Sequence, residues 1–183
     1  MTETDSTHKF MIKEVSHWDG QWELIDGVPF NMTPAPSATH QRIVGELFFA
    51  LRSYFGTDGC AVFIAPFDVQ LDKSDDYTIV QPDVSVFCRR ELICEHRAIG
   101  CPDLLVEVLS PSRALKDRNQ KFKLFERSGV QEFWIVDAHN QTVEVYGLSD
   151  GHYRERAVFG HTDTLRSFQF PDLQIELKRI LFA

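Results

Sequence analysis

Apolar residues recur along this chain in three patterns, and each predicts a different element. The run Leu104-Leu105-Val106-Glu107-Val108-Leu109 is nearly continuous rather than alternating, the mark of a central strand covered on both faces, and Pro111 stops it. Phe133-Trp134-Ile135-Val136 is a second such run. Between them Ser112 is placed to cap a helix that runs to about Ser128, with Gly129 at its C′ position. Strand, helix and strand joined by short links form a βαβ unit, so the two strands should be parallel with a right-handed crossover.

A second helix is predicted from Ser37, its N-cap, to about Phe55, with Gly56 ending it. At about 100° per residue, His40, Ile43, Val44, Leu47, Phe48, Leu51, Tyr54 and Phe55 share one face, while Phe49 points away as a possible contact surface. Alternating runs predict the remaining strands. Trp22 to Phe30 folds as a hairpin about Asp26-Gly27. Cys60 to Leu71 is strand, break at Pro66, then strand, and Asp72 to Asp76 is a polar turn. Val80 to Cys88 is a strand whose alternation puts Asp83, Ser85 and Phe87 on one face. Arg89 to Gly100 is a loop or a short helix. Val143 to Tyr146 and Tyr153 to Phe159 form a hairpin around Ser149-Asp150-Gly151, and Phe168 to Leu177 is a last strand at a sheet edge. Residues Met1 to Lys9 are polar and should fray.

Composition narrows the class. With 183 residues, 43% of them hydrophobic, the chain can build one globular domain with a sizeable core. Its net charge of −8 argues against a surface basic throughout, so contact with a nucleic acid would need a local patch or a bound metal. Cys60, Cys88, Cys94 and Cys101 lack C-x-x-C spacing, which disfavours zinc. No secretory signal opens the chain and no apolar run reaches the roughly 18 residues of a membrane span. The expectation is a cytoplasmic protein with reduced thiols and no membrane association.

Glu107 changes the picture, because an ionised carboxylate in a doubly covered strand is costly unless it is paired or used. On the following helix Asp117 and Lys121 stand one turn apart, and Lys121 lies at the border of the apolar arc, from which it can reach the sheet. Arg118 falls inside that arc and is an alternative partner for Glu107, which would make the pair a structural ion pair without chemistry. Arg113, Lys116, Lys123 and Arg127 make this helix the most basic stretch, either a solvated stripe or a nucleic-acid contact. His40 is open between a hydrogen-bonded core histidine and the edge of a site. Two carboxylates on adjacent strands with a lysine suit metal-assisted phosphodiester hydrolysis: the acids hold a hard cation such as Mg²⁺, and the lysine orients water or stabilises developing charge.

These residues together resemble a known family. Gln81-Pro82-Asp83-Val84-Ser85-Val86, the segment Pro102 to Ser112, Asp117 with Lys121, and Gly129 to Asp137 are similar to the Uma-two family of restriction-endonuclease-like proteins. Glu23-Leu24-Ile25-Asp26-Gly27 and Ser37-Ala38-Thr39-His40 extend the resemblance, which covers roughly Trp22 to Tyr146. It implies the PD-(D/E)XK nuclease fold: an α/β (mixed α+β) architecture with a mixed central β-sheet flanked by helices, here with an N-terminal hairpin. It implies Mg²⁺ or Mn²⁺ at Asp83 and Glu107, with DNA as substrate. The superfamily's lysine position, two residues after the acid, is Leu109 in this chain; the resemblance moves that role to Lys121, supported by Asp117, with Glu23 and His40 as further site residues. A silent nuclease-fold module for nucleic-acid or protein binding is the alternative, and a homodimer is compatible with either.

Overall fold

A computed structural model describes residues 8–32, 35–57, 59–110 and 117–181, without the side chains of Asp117 and Arg118. Six strands form the central sheet: β3 (Ala61–Ile64), β5 (Val84–Phe87), β7 (Leu104–Val108), β8 (Glu132–Asp137), β9 (Thr142–Ser149) and β10 (His152–Gly160), in the spatial order β10-β9-β8-β7-β5-β3. Within this sheet β7 and β8 are the pair that runs parallel, as the strand–helix–strand pattern requires, and all five residues of β7 are buried. The sheet is therefore mixed, and Glu107 lies in its middle.

Alternation along these strands divides the core between two faces. On one face Val84, Val86, Leu104, Val106 and Trp134 pack against Ile43, Val44, Leu47 and Leu51 of α2 (Ala38–Phe55). On the other Leu105, Phe133 and Ile135 meet Leu124 and Phe125 of α3 (Phe122–Ser128). Helix α2 begins and ends where its caps predict: the Ser37 hydroxyl accepts the His40 amide at 3.2 Å, and Gly56 follows the last turn with a φ of 66°. Phe49 is 69% exposed, as its place on the wheel predicts; Tyr54, expected on the buried face, is 41% exposed near the end of the helix. Helix α3 ends at Gly129, whose φ of 86° is a left-handed conformation natural to glycine. It is preceded by a π-helical stretch, Asp117–Lys121, a wider turn often found at functional sites.

The N-terminal hairpin, β1 (Trp22–Ile25) and β2 (Val28–Asn31), closes through Asp26 and Gly27, both at positive φ as a type I′ turn demands. A short helix, α1 (Ile12–Val15), precedes it, so the described fold does not open on the hairpin. Further along, β4 (Asp68–Gln70) pairs in parallel with β6 (Arg97–Ile99) beyond a cis Ala65–Pro66 bond, which leaves Arg89 to Gly100 less irregular than its sequence suggests. The expected strand from Val80 starts only at Val84: Val80 bridges to Val69, and Pro82 cannot donate to a ladder.

Two further expectations are corrected. Of the edge strand expected from Phe168 to Leu177 only β12 (Gln174–Glu176) is extended, and it pairs with β11 (Thr164–Arg166) in a ladder of its own beside the central sheet's six strands, followed by α4 (Lys178–Leu181). The thiols are not all reduced either. Cys60 and Cys88 flank the Ala61–Phe87 pair of β3 and β5 and form a disulfide, because antiparallel register brings them face to face. Cys101 stays a thiol, and burial pushes it up to about 11. None of the helices described is long and apolar enough to cross a membrane.

Glu132 explains how the C-terminal segment is tied down. Its buried carboxylate accepts the Trp134 indole N–H at 2.5 Å, the Ser167 hydroxyl at 2.8 Å and the Gln169 amide at 2.6 Å. Burial raises this carboxyl above the usual glutamate range, and these donors, with the Phe168 amide, pull it only partly back. The folded state thus holds its proton more tightly than the unfolded chain, so this contribution to stability is full below the ordinary value of 4.5 and is lost as pH rises through the raised one. Glu132→Gln sets an amide against the indole N–H, at a cost of about 1–3 kcal/mol. Urea denaturation across this pH range should show that cost shrinking as pH rises; a cost that grows with pH would mean that the donors outweigh burial.

Candidate active site

The antiparallel register of β5 and β7 pairs Val84 with Val106 and Ser85 with Leu105, which sets Asp83, just ahead of β5, level with Glu107. Asp83 is fixed from two sides. Its Oδ2 accepts the Val108 amide at 2.7 Å and lies 3.2 Å from His40 Nε2. The first of these bonds replaces the ladder contact that Pro82 interrupts and anchors the carboxylate to the end of β7. The second depends on α2: the Ser37 cap starts the helix so that the His40 ring, in its first turn, meets the sheet. Asp83 keeps 17% of its side chain exposed, enough for solvent or a substrate to approach.

Lys121 closes the π-helical stretch and is only 2% exposed. Its Nζ stands 2.6 Å from Glu107 Oε1 and 2.7 Å from Glu23 Oε1. Glu23, on β1, is fully buried, and its Oε1 also accepts the Gln81 amide at 3.0 Å. Gln81 in turn donates through its side chain to Asp68 Oδ1 at 2.8 Å. The hairpin, the segment before β5, strand β7 and the helix after it thus converge on one ammonium group. Asp83, Glu107 and Glu23 thus gather near Lys121 in a largely buried place, where carboxylates need cationic groups beside them.

Asp83 and Glu107 offer hard carboxylate oxygens, the donor type that Mg²⁺ or Mn²⁺ would take with water completing its shell. Among the described residues no group of three or more His, Cys, Asp or Glu is arranged to hold a metal.

Of the residues singled out in the sequence, the fold gathers Asp83, Glu107, Lys121, Glu23 and His40. Among the described residues Glu107 pairs with Lys121; the Arg118 side chain, the other candidate partner, lies outside the described residues, as do the Asp117 side chain, Arg113 and Lys116. Arg127 is not a free basic group: its Nη2 is 2.5 Å from Asp26 in the hairpin turn, so much of its charge is already neutralised. Lys123 is exposed beside a cavity under the helix. Sequence reasoning alone did not find the grip of Glu23 on Lys121. A glutamate within the four-residue apolar strand Trp22-Glu23-Leu24-Ile25 was the signal, as Glu107 was in β7.

Comparison with known proteins bears on the fold and the family. Two uncharacterised proteins of Synechocystis sp., slr1290 and sll1609, are 29% and 30% identical to the chain over 129 and 113 residues. Those stretches cover 70% and 60% of this chain, and 66% and 63% of the relatives, slightly less than two thirds of their length. A crystal structure from Anabaena variabilis, titled a putative nuclease belonging to DUF820, superposes with a TM-score of 0.74 at 21% identity, covering 94% of this chain and 97% of that one. At that identity the likeness speaks for the fold, which is a nuclease-like one. Residues 10–178 match the model of the Uma2 family, whose description is "Putative restriction endonuclease", and with nearly the whole chain matched, the protein belongs to that family.

Proposed function

We propose that the protein is an endonuclease that hydrolyses DNA phosphodiester bonds with Mg²⁺ or Mn²⁺. One observation carries this: a buried lysine shared by two carboxylates, one of them level with a partly exposed aspartate on the neighbouring strand. Asp83 and Glu107 would hold the cation, which when bound activates water and neutralises the phosphate. Lys121 stands ready for the charge that develops on the phosphate in the transition state, already desolvated and already oriented. Glu23 keeps the ammonium in place and charged. His40 acts through Asp83, holding its Oδ2 while the Val108 amide holds the same oxygen from the other side. Within the basic stretch Lys123 carries the phosphate contact, with Arg113 and Lys116 as further candidates and Arg127 weakened by Asp26. With a net charge of −8, DNA binding should need the divalent cation and fall steeply with salt.

The burial of Lys121 favours a second reading, a silent nuclease-fold module in which the lysine only neutralises core carboxylates. Incubating supercoiled plasmid with the purified protein and Mg²⁺ or Mn²⁺ separates the two. Nicking or linearisation that disappears with EDTA and in Asp83→Asn is the expected result. Intact plasmid under every divalent condition, with a folded protein, would sink the catalytic reading.

A further inference from the structure

A cavity of about 300 Å³ lies beside the proposed site, lined by Asn119, Phe122, Lys123, Ile135 and Tyr146. Its position follows from register and sequence. Glu107 pairs with Ile135, and Ile135 with Glu144, so the floor of the cavity continues the row that holds the proposed metal ligand. Strands about 4.8 Å apart put that floor roughly 5–10 Å from Glu107. The roof comes from Asn119, Phe122 and Lys123, the residues on either side of Lys121 in the chain.

The far wall is built rather than incidental. The Tyr146 hydroxyl donates to Glu144 Oε2 at 2.5 Å, and Arg156 Nη2 reaches the same oxygen at 2.8 Å. The Arg156 guanidinium also stands 5.8 Å from the Tyr146 ring centroid, and Phe122 meets that ring edge-on at 4.9 Å. The buried carboxylate is thus compensated by its own neighbours, Arg156 among them, and the groups lining the opening are an amide, two aromatic rings and the cation of Lys123. Rings and an amide suit a nucleobase; a cation beside them suits the phosphate attached to it.

From this arrangement, and resting on the nuclease reading above, we infer that the cavity receives one unpaired nucleobase of the DNA strand, next to the phosphate at Asp83 and Glu107. A base stacked in a duplex has both faces covered by its neighbours, so a base that lays its face on these rings is unpaired: the preferred substrate carries a bulge, a flap or a single strand. Asn119 faces the base edge, Phe122 its plane with Tyr146 against its rim, and Lys123 the adjoining phosphate.

Fluorescence anisotropy with end-labelled oligonucleotides in Mg²⁺ at low salt tests this. The probes are a fully paired duplex and the same duplex with one unpaired nucleotide. The parent protein should bind the bulged probe about tenfold tighter, the size expected for stacking one base on aromatic side chains. Asn119 is exposed, so Asn119→Trp fills the opening without touching the core; it should erase the preference and leave duplex binding unchanged. Lys123→Glu should weaken both probes alike, since phosphate contacts position rather than discriminate. Equal binding of the two probes by the parent, or a preference that survives Asn119→Trp, overturns the inference and leaves the nuclease reading standing. A parent that binds neither probe overturns both.

Discussion

Lys121→Met is expected to lower stability by roughly 3–5 kcal/mol, the usual cost of removing one partner from a buried charge pair. For a chain of this size that corresponds to a fall in melting temperature on the order of 10 °C. Methionine fills much of the volume, so the loss comes from charge and not from a cavity. Glu107 and Glu23, both buried, would face each other without the ammonium that holds them 2.6 and 2.7 Å away. Adding Glu23→Gln to Lys121→Met should return part of the loss, because one of the two stranded charges disappears; a double-mutant cycle reads this directly. A loss below about 1 kcal/mol in Lys121→Met would mean that the carboxylates reach water and that the triad is not a buried one.

Glu107→Gln should do the opposite: keep the fold and remove the chemistry. Lys121 retains Glu23 as counter-ion, and a glutamine oxygen can still accept from its Nζ, so the expected cost is only about 1 kcal/mol. Cleavage should fall at least 10²–10³-fold, roughly the loss seen when a single charge-stabilising group leaves an active site. Thermal melts supply an independent readout. A cation at a hundred times its dissociation constant stabilises the parent by about 2.7 kcal/mol, and that shift should vanish in the variant. If Glu107→Gln cuts plasmid as the parent does, Glu107 is a core counter-ion and the chemistry lies elsewhere.

The comparison of these two variants depends on a detail absent from local sequence. With Arg118 as the partner of Glu107, Glu107→Gln would leave a buried guanidinium alone and cost several kcal/mol. With Lys121 shared between two carboxylates, the same change leaves a balanced pair. Stability alone therefore distinguishes the two arrangements.

Much of the architecture is local and was legible along the chain. The Ser37 and Gly56 caps, the Asp26-Gly27 turn, the strand–helix–strand unit around β7 and β8 and the hairpin of β9 and β10 all depend on nearby residues obeying short-range sterics and a two- or 3.6-residue period. The same periodicity turned Lys121 toward the sheet and marked Glu107 as a carboxylate out of place. Long-range pairing was another matter. That Glu23 shares Lys121 across 98 positions, that Cys60 meets Cys88, and that residues 164–176 form a separate ladder held by Glu132 follow from which elements lie side by side. Charge and thiol partners are chosen by distances of a few ångströms in the folded core, and no spacing along the chain encodes those distances. Position along the chain marks which groups must be neutralised, because burying a charge is costly wherever it goes. Which groups neutralise them is a property of the folded core, because it depends on the register of strands far apart in the chain.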